Sequence, residues 1–332
     1  MNNTCRVFGT GIASLLLATS SLADVCAPVP SGTQNWWPLE GGPTEVVSGQ
    51  PSTFLGGAWV SGKVGQALDF NTFGDGVKAP NVSLPTEFTI DAWIFPMGPS
   101  FFGTSHPGPG PIAEFFDAVS FFQHPSDGDL HLALRDTGGP ITTYTASGGI
   151  TPNAWNHAAV TYSSSTGIAK FYANGVQTGS YNFGTITLPS SADFYIGNRA
   201  VGSYGQDGVT YNGVIDEVHL FSRVLAASEI QAINAAGSAG LCQNAPQQLA
   251  NLLSVVEQFN LSQGITNSLD SKVQNALDAI NAARGGSTTS ACNLMSAFIN
   301  NVNGQTGKQL TAAQGAVLIA SANQIRATLG CP

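Results

Sequence analysis

Short hydrophobic runs separated by turn residues dominate the chain from residue 30 to residue 225. Runs such as QALDF, EFTIDAWIF and LHLALRD alternate with clusters of Gly, Pro, Asn and Ser. In HAAVTYSSSTGIAKFYANGVQTGS, two runs flank SSSTG, and a third follows Asn174-Gly175, a pair typical of primed hairpin turns. The pattern predicts an all-β antiparallel fold for this part of the chain.

After Cys242 the hydrophobic period becomes helical. Pro246 suits the first turn of a helix, and Thr311 with Gln314 forms a capping box at the start of another. The apolar positions that repeat at helical spacing include Leu249, Leu252, Leu253, Val256, Ile265, Leu269, Val273, Leu277, Ile280, Met295, Phe298, Ile299, Val302, Leu318, Ala322, Ile325 and Leu329. Residues 243–332 are therefore predicted to form a small all-α domain, an antiparallel bundle of four helices.

The first 23 residues are typical of a secretory signal peptide. Arg6 precedes the apolar run GIASLLLATSSLA, which ends in small residues and is too short to span a bilayer comfortably. The predicted mature chain begins near Asp24 and is secreted or periplasmic. No later stretch of the sequence predicts a transmembrane segment.

Cleavage of this peptide leaves four cysteines, an even number that suits an oxidising compartment. Four cysteines allow three pairings. Cys26 and Cys242 bracket the β-rich segment, and Cys292 and Cys331 both lie in the helical segment. We therefore predict the pairs Cys26–Cys242 and Cys292–Cys331, with a domain boundary between residues 242 and 243.

Charge also separates the two segments. Residues 24–242 carry 17 acidic and 6 basic residues, whereas residues 243–332 carry 3 acidic and 4 basic residues. Nucleic-acid binding depends on clustered positive charge, so an acidic first domain argues against such a partner. The same charge is compatible with binding of a hard cation.

Two adjacent carboxylates, Asp216 and Glu217, lie in YNGVIDEVHLFSRVL, a stretch that predicts a buried strand. Adjacent side chains of a strand point to opposite faces, so the two are predicted to lie on opposite sides of a sheet. A glycosidase needs two carboxyl groups roughly 5 to 10 Å apart across one substrate. The sequence has no alternating Glu-x-Asp-x-Glu run, so we assign no catalytic residue.

Seven strings give the β-rich segment a family resemblance: WWPLEGG, KVGQALDF, EFTIDAWIFP, AWNHAAVTY, KFYANGVQTGS, FYIGNR and YNGVIDEVHLFSRVLAASEI. They cover nearly all of residues 30–237, and the last is the most specific. In this order they resemble laminin-G-like domains of the concanavalin A-like lectin/glucanase superfamily. The resemblance implies a two-sheet antiparallel jelly-roll sandwich, used mainly as an extracellular binding module.

The same resemblance implies one bound calcium ion. Asp216 stands where the family has an Asp that serves as calcium ligand or loop anchor, and Glu40 and Glu45 in WPLEGGPTEVVSGQ would supply further oxygen ligands. The alternative is that Asp216 caps loop amides, as carboxylates near turns commonly do.

Aromatic residues near predicted loops are candidates for stacking on sugar rings. We name Trp37, Tyr204 and Tyr211 as candidate ligand-binding residues. Trp and Tyr side chains also serve packing, which is the competing interpretation.

Residues 243–332 resemble a small helical module at the ends of secreted bacterial proteins, called FIMAH. The strings that carry this resemblance are LLSVVEQFNLSQGITNSLDSKVQNALDAI, ACNLMSAFINNVN and GKQLTAAQGAVLIASANQIRATLGC. The alternative is a disulfide-stapled stabilising or spacing domain.

The sequence thus predicts a secreted, non-catalytic protein that recognises carbohydrate or another extracellular polymer. Two alternatives stay open: a divergent polysaccharide hydrolase or lyase of the same fold, and an adhesion or cell-envelope component that binds protein. The sequence does not set the oligomeric state.

Overall fold

The computed structural model describes residues 26–98, 101–102, 110–124, 128–146, 148–203, 208–282 and 288–331. The predicted signal peptide, residues 1–23, and the candidate Tyr204 lie outside these ranges. The strands, in chain order from β1 to β18, are Thr33–Trp37, Thr53–Gly56, Ala58–Ser61, Gln66–Phe70, Gly76–Ser83, Glu87–Pro96, Phe101–Phe102, Gly110–Phe115, Val119–Gln123, Leu130–Arg135, Ile141–Ala146, Asn156–Ser163, Ile168–Ala173, Val176–Asn182, Ser191–Ile196, Asn198–Arg199, Val209–Thr210 and Gly213–Phe221.

These strands form two large antiparallel sheets and a small third one. The eight-stranded sheet has the order β14-β13-β12-β6-β18-β4-β3, with β1 paired to β18. The seven-stranded sheet has the order β11-β10-β9-β8-β15-β5-β2, and β16, β17 and β7 form the third sheet. The protein is mainly β, and the all-β prediction for the first part of the chain is confirmed.

The predicted hairpins follow the turn chemistry of the sequence. Strands β12, β13 and β14 pair in succession, and Asn174 and Gly175 join the last two with φ angles of 52° and 77°. Positive φ at both central residues is the condition for the type I′ turn that an Asn-Gly pair favours.

The main hydrophobic core fills the space between the two large sheets. Alternating residues of β6 and β12 enter it, including Ile90, Ala92, Ile94, Ala158 and Val160. A second cluster covers the outer face of the eight-stranded sheet, where helix α1 (Ala227–Ala236) packs on the strands. Polar residues on this outer face are therefore removed from solvent.

The helical region contains four further helices, as predicted: α2 Ala245–Gln258, α3 Gln263–Ala282, α4 Thr289–Gln305 and α5 Ala312–Thr328. Helix α2 contacts α3 and α5, and α4 contacts α3 and α5, so the four enclose one core. The Thr311–Gln314 capping box forms, with the Gln314 amide donating to Thr311 Oγ1 at 3.2 Å. None of the helices in the described ranges is long and apolar enough to cross a membrane.

Both predicted disulfides are present. Cys26 is bonded to Cys242, and Cys292 to Cys331. The first joins the start of the sandwich to its end, and the second lies within the helical region.

Candidate functional site

A β-bulge in strand β18 places Asp216 and Glu217 on the same face of the sheet. The register with β6 shifts between Asp216 and His219, and Glu217 has φ 51°. Ile215 and Val218, on either side of the pair, both belong to the core between the sheets. The prediction that the two carboxylates face opposite sides is therefore wrong, because the bulge adds one residue to the alternation.

The loop between β3 and β4 forms a cradle for two of the acids. The Val64 amide donates to Asp216 Oδ2 at 2.9 Å, and the Gln66 amide donates to Glu40 Oε2 at 2.9 Å. Two glycines make room for these carboxylates. A Cβ at Gly62 would lie 2.6 Å from Asp216 Oδ2, and one at Gly65 would lie 2.1 Å from Glu40 Oε1.

Burial raises the pKa values of Asp216, Glu40 and Glu217. Burial raises the pKa of Asp216 well above its usual value, and the charges of Glu217 and Glu40 raise it further. Burial also raises the pKa of Glu40 to about 8, although the Gln66 amide offsets part of this effect. The pKa of Glu217 is raised by burial as well. The site is thus short of positive charge, which favours binding of a cation.

A histidine–carboxylate network continues from Glu217 across the sheet. Trp36 Nε1 donates to Glu217 Oε2 at 2.8 Å, and His219 Nε2 lies 3.5 Å from the same oxygen. His219 Nδ1 is 2.6 Å from Asp91 Oδ1, and His157 Nε2 is 3.6 Å from Asp91 Oδ2. All five side chains are at most 2% exposed, so a polymeric substrate cannot reach them.

These neighbours shift two pKa values in opposite directions. Burial alone would raise the pKa of Asp91, but the charge and the hydrogen bond of His219, together with the nearby His157, lower it to about 2. Burial alone would lower the pKa of His219, but Asp91 and Glu217 raise it to about 9. The Asp91–His219 pair is therefore ionic at neutral pH.

The Glu45 carboxylate accepts hydrogen bonds from the backbone of its own loop and of β1. Its Oε1 accepts hydrogen bonds from the amides of Trp36 and Val47, and its Oε2 accepts them from Ser48 and Gln50. Both carboxylate oxygens are thus occupied by backbone donors, so Glu45 is a loop anchor. This geometry corrects the assignment of Glu45 as a metal ligand.

Asp216 and Glu40 have the donor chemistry that calcium requires. Asp216 Oδ1 is buried and has no hydrogen-bond partner among the described residues. Within the described ranges, no group of three or more His, Cys, Asp or Glu side chains is arranged to hold a metal ion. The other ligands of a calcium ion at these two carboxylates would therefore be carbonyl, amide or water oxygens, which calcium accepts readily.

The predicted sugar-stacking residues that the structure describes are buried. Trp37 is fully buried and stacks on Phe194 with ring centroids 4.8 Å apart. Tyr211 is 2% exposed, and its hydroxyl donates to Gln123 Oε1 at 3.3 Å. Neither presents a ring to a ligand, so packing, the competing interpretation, applies to both.

A surface groove that the sequence interpretation missed lies at one end of the seven-stranded sheet. It has a volume of about 480 Å³ and is formed by the β8–β9 turn, the β10–β11 turn and the start of β15. Phe116 is 36% exposed there, beside the ion pair of Arg135 with Asp117. The sequence feature that could have indicated this groove is Phe115-Phe116-Asp117. Strand alternation buries only one of two adjacent Phe side chains, so the other is available at the surface.

Comparison with known proteins supports the fold. Residues 70–231 match the family Laminin_G_3, described as concanavalin A-like lectin/glucanases superfamily. The two packed antiparallel sheets of the structure agree with this match. No curated protein matches the sequence.

Several solved structures are similar to the chain. Domain 4 of AbnA, a GH43 extracellular arabinanase from Geobacillus stearothermophilus solved with arabinotriose, is 20% identical with a TM-score of 0.47; the match covers 60% of this chain and 96% of that one. The botulinum neurotoxin type G receptor-binding domain is 16% identical with a TM-score of 0.45, covering 61% and 51%. The binding domain of Paraclostridial Mosquitocidal Protein 1 is 17% identical with a TM-score of 0.42, covering 56% and 47%. The chain spans about half the length of these two toxin domains.

Proposed function

We propose that this is a secreted, non-catalytic protein whose jelly-roll domain binds carbohydrate of an extracellular polymer. The observation that carries the proposal is the open groove at the β8–β9 and β10–β11 turns. An exposed ring beside charged hydrogen-bonding groups is a combination that suits a sugar, whose ring has apolar faces and a hydroxyl rim. The family description, which names lectins and glucanases, points to the same ligand class.

Accessibility favours binding over hydrolysis. The acids that the bulge brings together, Asp216 and Glu217, are 0% and 2% exposed. They are also covered by neighbouring segments of the chain, so they cannot flank a glycosidic bond. Two disulfides suit an extracellular setting.

The proposal includes a calcium ion held by Asp216 and Glu40. Its role is structural: two positive charges would neutralise acids whose mutual repulsion otherwise weakens the fold. Extracellular modules commonly bind calcium with dissociation constants of about 10⁻⁴ to 10⁻³ M, so the ion would be bound at extracellular concentrations.

A glycan array and a hydrolysis assay on the same preparation test this function. We expect glycan retention without turnover. Phe116→Ala should weaken retention about tenfold, because it removes the only ring that the groove exposes among its described lining residues. Phe73→Ala is the matched control, since Phe73 is 46% exposed and does not line the groove.

The other outcomes select other functions. Turnover of a retained glycan would replace the proposal with a hydrolase or lyase. Absence of both retention and turnover would favour an adhesion or cell-envelope component that binds protein.

A further inference from the structure

A small cavity separates the jelly-roll domain from the helical domain. Its volume is about 50 Å³, enough for a cation with a little water. On one side it is lined by Glu40 and Val64, which belong to the acid site and its cradle. On the other side it is lined by residues of α2 and α5, including Gln248, Asn251 and Ser321.

The loop after Glu40 fits closely against helix α2. A Cβ at Gly41 would lie 3.1 Å from Val255 Cγ2, and one at Gly42 would lie 2.6 Å from Ser254 Cβ. Thr44 and Ser254 share a hydrogen bond between their hydroxyl groups. The two glycines therefore allow an approach of the helix that any larger residue would block, and α2 is held directly beside Glu40.

Gln248 is the unexplained group in this cavity. The side chain is 8% exposed, and its Oε1 atom is buried without a hydrogen-bond partner in the described part of the protein. An orphaned buried acceptor costs folding free energy, so such a group calls for a partner. Glu40 also lines the cavity that Gln248 lines, and an acid and an amide oxygen together attract a hard cation.

We infer that Gln248 of the helical domain is a ligand of the calcium ion that Glu40 and Asp216 bind in the jelly-roll domain. The inference rests on the calcium site in the proposed function. Amide carbonyl oxygens are ordinary calcium ligands, and Oε1 of Gln248 would take one of the positions that the two carboxylates leave open. The calcium ion then links the two domains, and its binding tightens the contact of α2 with the loop after Glu40.

Calorimetric calcium titration of the full oxidised chain, after chelator treatment, tests this assignment. Gln248→Leu keeps the size of the side chain but removes the oxygen, and should weaken calcium binding about tenfold. Gln248→Glu adds a charged ligand and should strengthen binding about tenfold. Gln274→Leu is the matched control, because Gln274 is an exposed residue of α3, and it should leave the affinity unchanged.

The metal-free proteins provide a second readout. Gln248→Leu should melt at a higher temperature than the wild type in chelator, because it removes an orphaned buried oxygen. Gln248→Glu should melt at a lower temperature in chelator, because it adds an acid to a site already short of positive charge. A variant that merely damaged the fold could not show tighter calcium binding together with a lower metal-free melting temperature.

Hydrogen exchange measures the link between the domains. Calcium should slow amide exchange in α2 of the wild type, and this protection should be reduced in Gln248→Leu. If the wild type binds calcium but both Gln248 variants bind it equally well, the assignment of Gln248 is wrong and the Asp216–Glu40 site stands. If the wild type gives no heat of calcium binding, both the site and the inference are wrong.

Discussion

At the scale of single residues, the left-handed backbone of Glu217 decides the arrangement of the acid site. A positive φ is uncommon for Glu and costs about 1 kcal/mol or more. The bulge that it creates brings Glu217 beside Asp216 and within 2.8 Å of Trp36 Nε1. Because Asp216 shares a buried site with Glu217 and Glu40, their charges raise its pKa, and a cation or a proton must relieve the repulsion.

Asp216→Asn should largely abolish stabilisation by calcium. In the wild type, calcium at 100 times its dissociation constant should stabilise the fold by about 2.7 kcal/mol, a gain measurable as a rise in melting temperature. Asp216→Asn removes a charged ligand. Glu217→Gln, which removes only a neighbouring charge, should reduce the response less. The control Glu87→Gln, at a half-buried carboxylate bonded to Ser163 and Ser165, should leave it intact. Identical wild-type melting curves in calcium and in chelator would leave Asp216 as a loop anchor only.

His219 should make stability depend on pH. The folded protein holds the His219 proton more tightly than the unfolded chain, so this stabilisation is complete below pH 6.5 and is lost as the pH rises through about 9. The Asp91 contribution has the opposite sign: it is complete above pH 3.8 and is lost as the pH falls through about 2. Urea unfolding across the alkaline range should show a loss on the order of 2 kcal/mol that is absent from His219→Gln.

Three buried acids also contribute to the loss of stability at alkaline pH. Asp216, Glu40 and Glu217 have raised pKa values and also reduce stability as the pH rises. His219 lowers the pKa of Glu217, so the difference between the two curves measures His219 together with its effect on Glu217. Parallel curves from pH 6.5 to 9 would contradict the assignment.

At the scale of elements, helix α1 closes the outer face of the eight-stranded sheet. Ile230, Ile233 and Ala236 of the helix share a buried cluster with Trp36 and Tyr172 of the strands. The helix begins with half a capping box: Glu229 Oε2 accepts the Ala226 amide at 2.9 Å, but Ala226 has no side-chain oxygen to cap the helix. The helix that covers this cluster thus starts without a full cap.

Ala226→Ser should raise the unfolding free energy by about 1 kcal/mol, because the new hydroxyl can accept the Glu229 amide. Thermal and urea unfolding of the oxidised protein measure this gain. Ala227→Ser is the control, since a serine one residue later, inside the helix, caps nothing and should be neutral or slightly destabilising. Equal stability of Ala226→Ser and the wild type would mean that the start of α1 does not limit the stability of the fold.

At the scale of the whole molecule, two hydrophobic cores lie in two separately cross-linked parts. The cores of the sandwich draw on residues up to Leu241, and the helical core begins at Ala245. Each disulfide stays within one part, and a bond closing a long loop contributes roughly 4 kcal/mol by the chain-entropy argument. The contact between the parts is made mainly by the loop after Glu40, α2 and the small cavity.

Separate fragments of residues 24–242 and 243–332 should each unfold cooperatively when oxidised. Each retains its own core and its own disulfide, which are the main determinants of a stable domain. Circular dichroism with thermal melting provides the test. A helical fragment that melts without a transition would show that its core depends on the contact with the sandwich.

Much of the architecture follows from the sequence because its causes are local. Strand alternation, the Asn174-Gly175 turn and the Thr311–Gln314 capping box each act over a few neighbouring residues, and all appear in the structure. The change from strand to helical periodicity near Cys242 also divided the four cysteines between two domains, which predicted the two pairs that form. Asp216 was singled out by its position in the most specific string of the family resemblance.

Only the tertiary structure decided the details of the site, because they depend on contacts between distant segments. One added residue at Glu217 reversed the side predicted for its carboxylate, and strand periodicity carries no signal for such a bulge. Trp37 proved to be core because the opposite sheet supplies Phe194 as its stacking partner. Phe116 became a candidate ligand residue because two turns meet there, and Gln248 lines the same cavity as Glu40 because α2 packs against a distant loop. Sequence periodicity predicts which face of a helix or strand is buried. The segment that packs against that face, often distant in the chain, determines the role of its side chains.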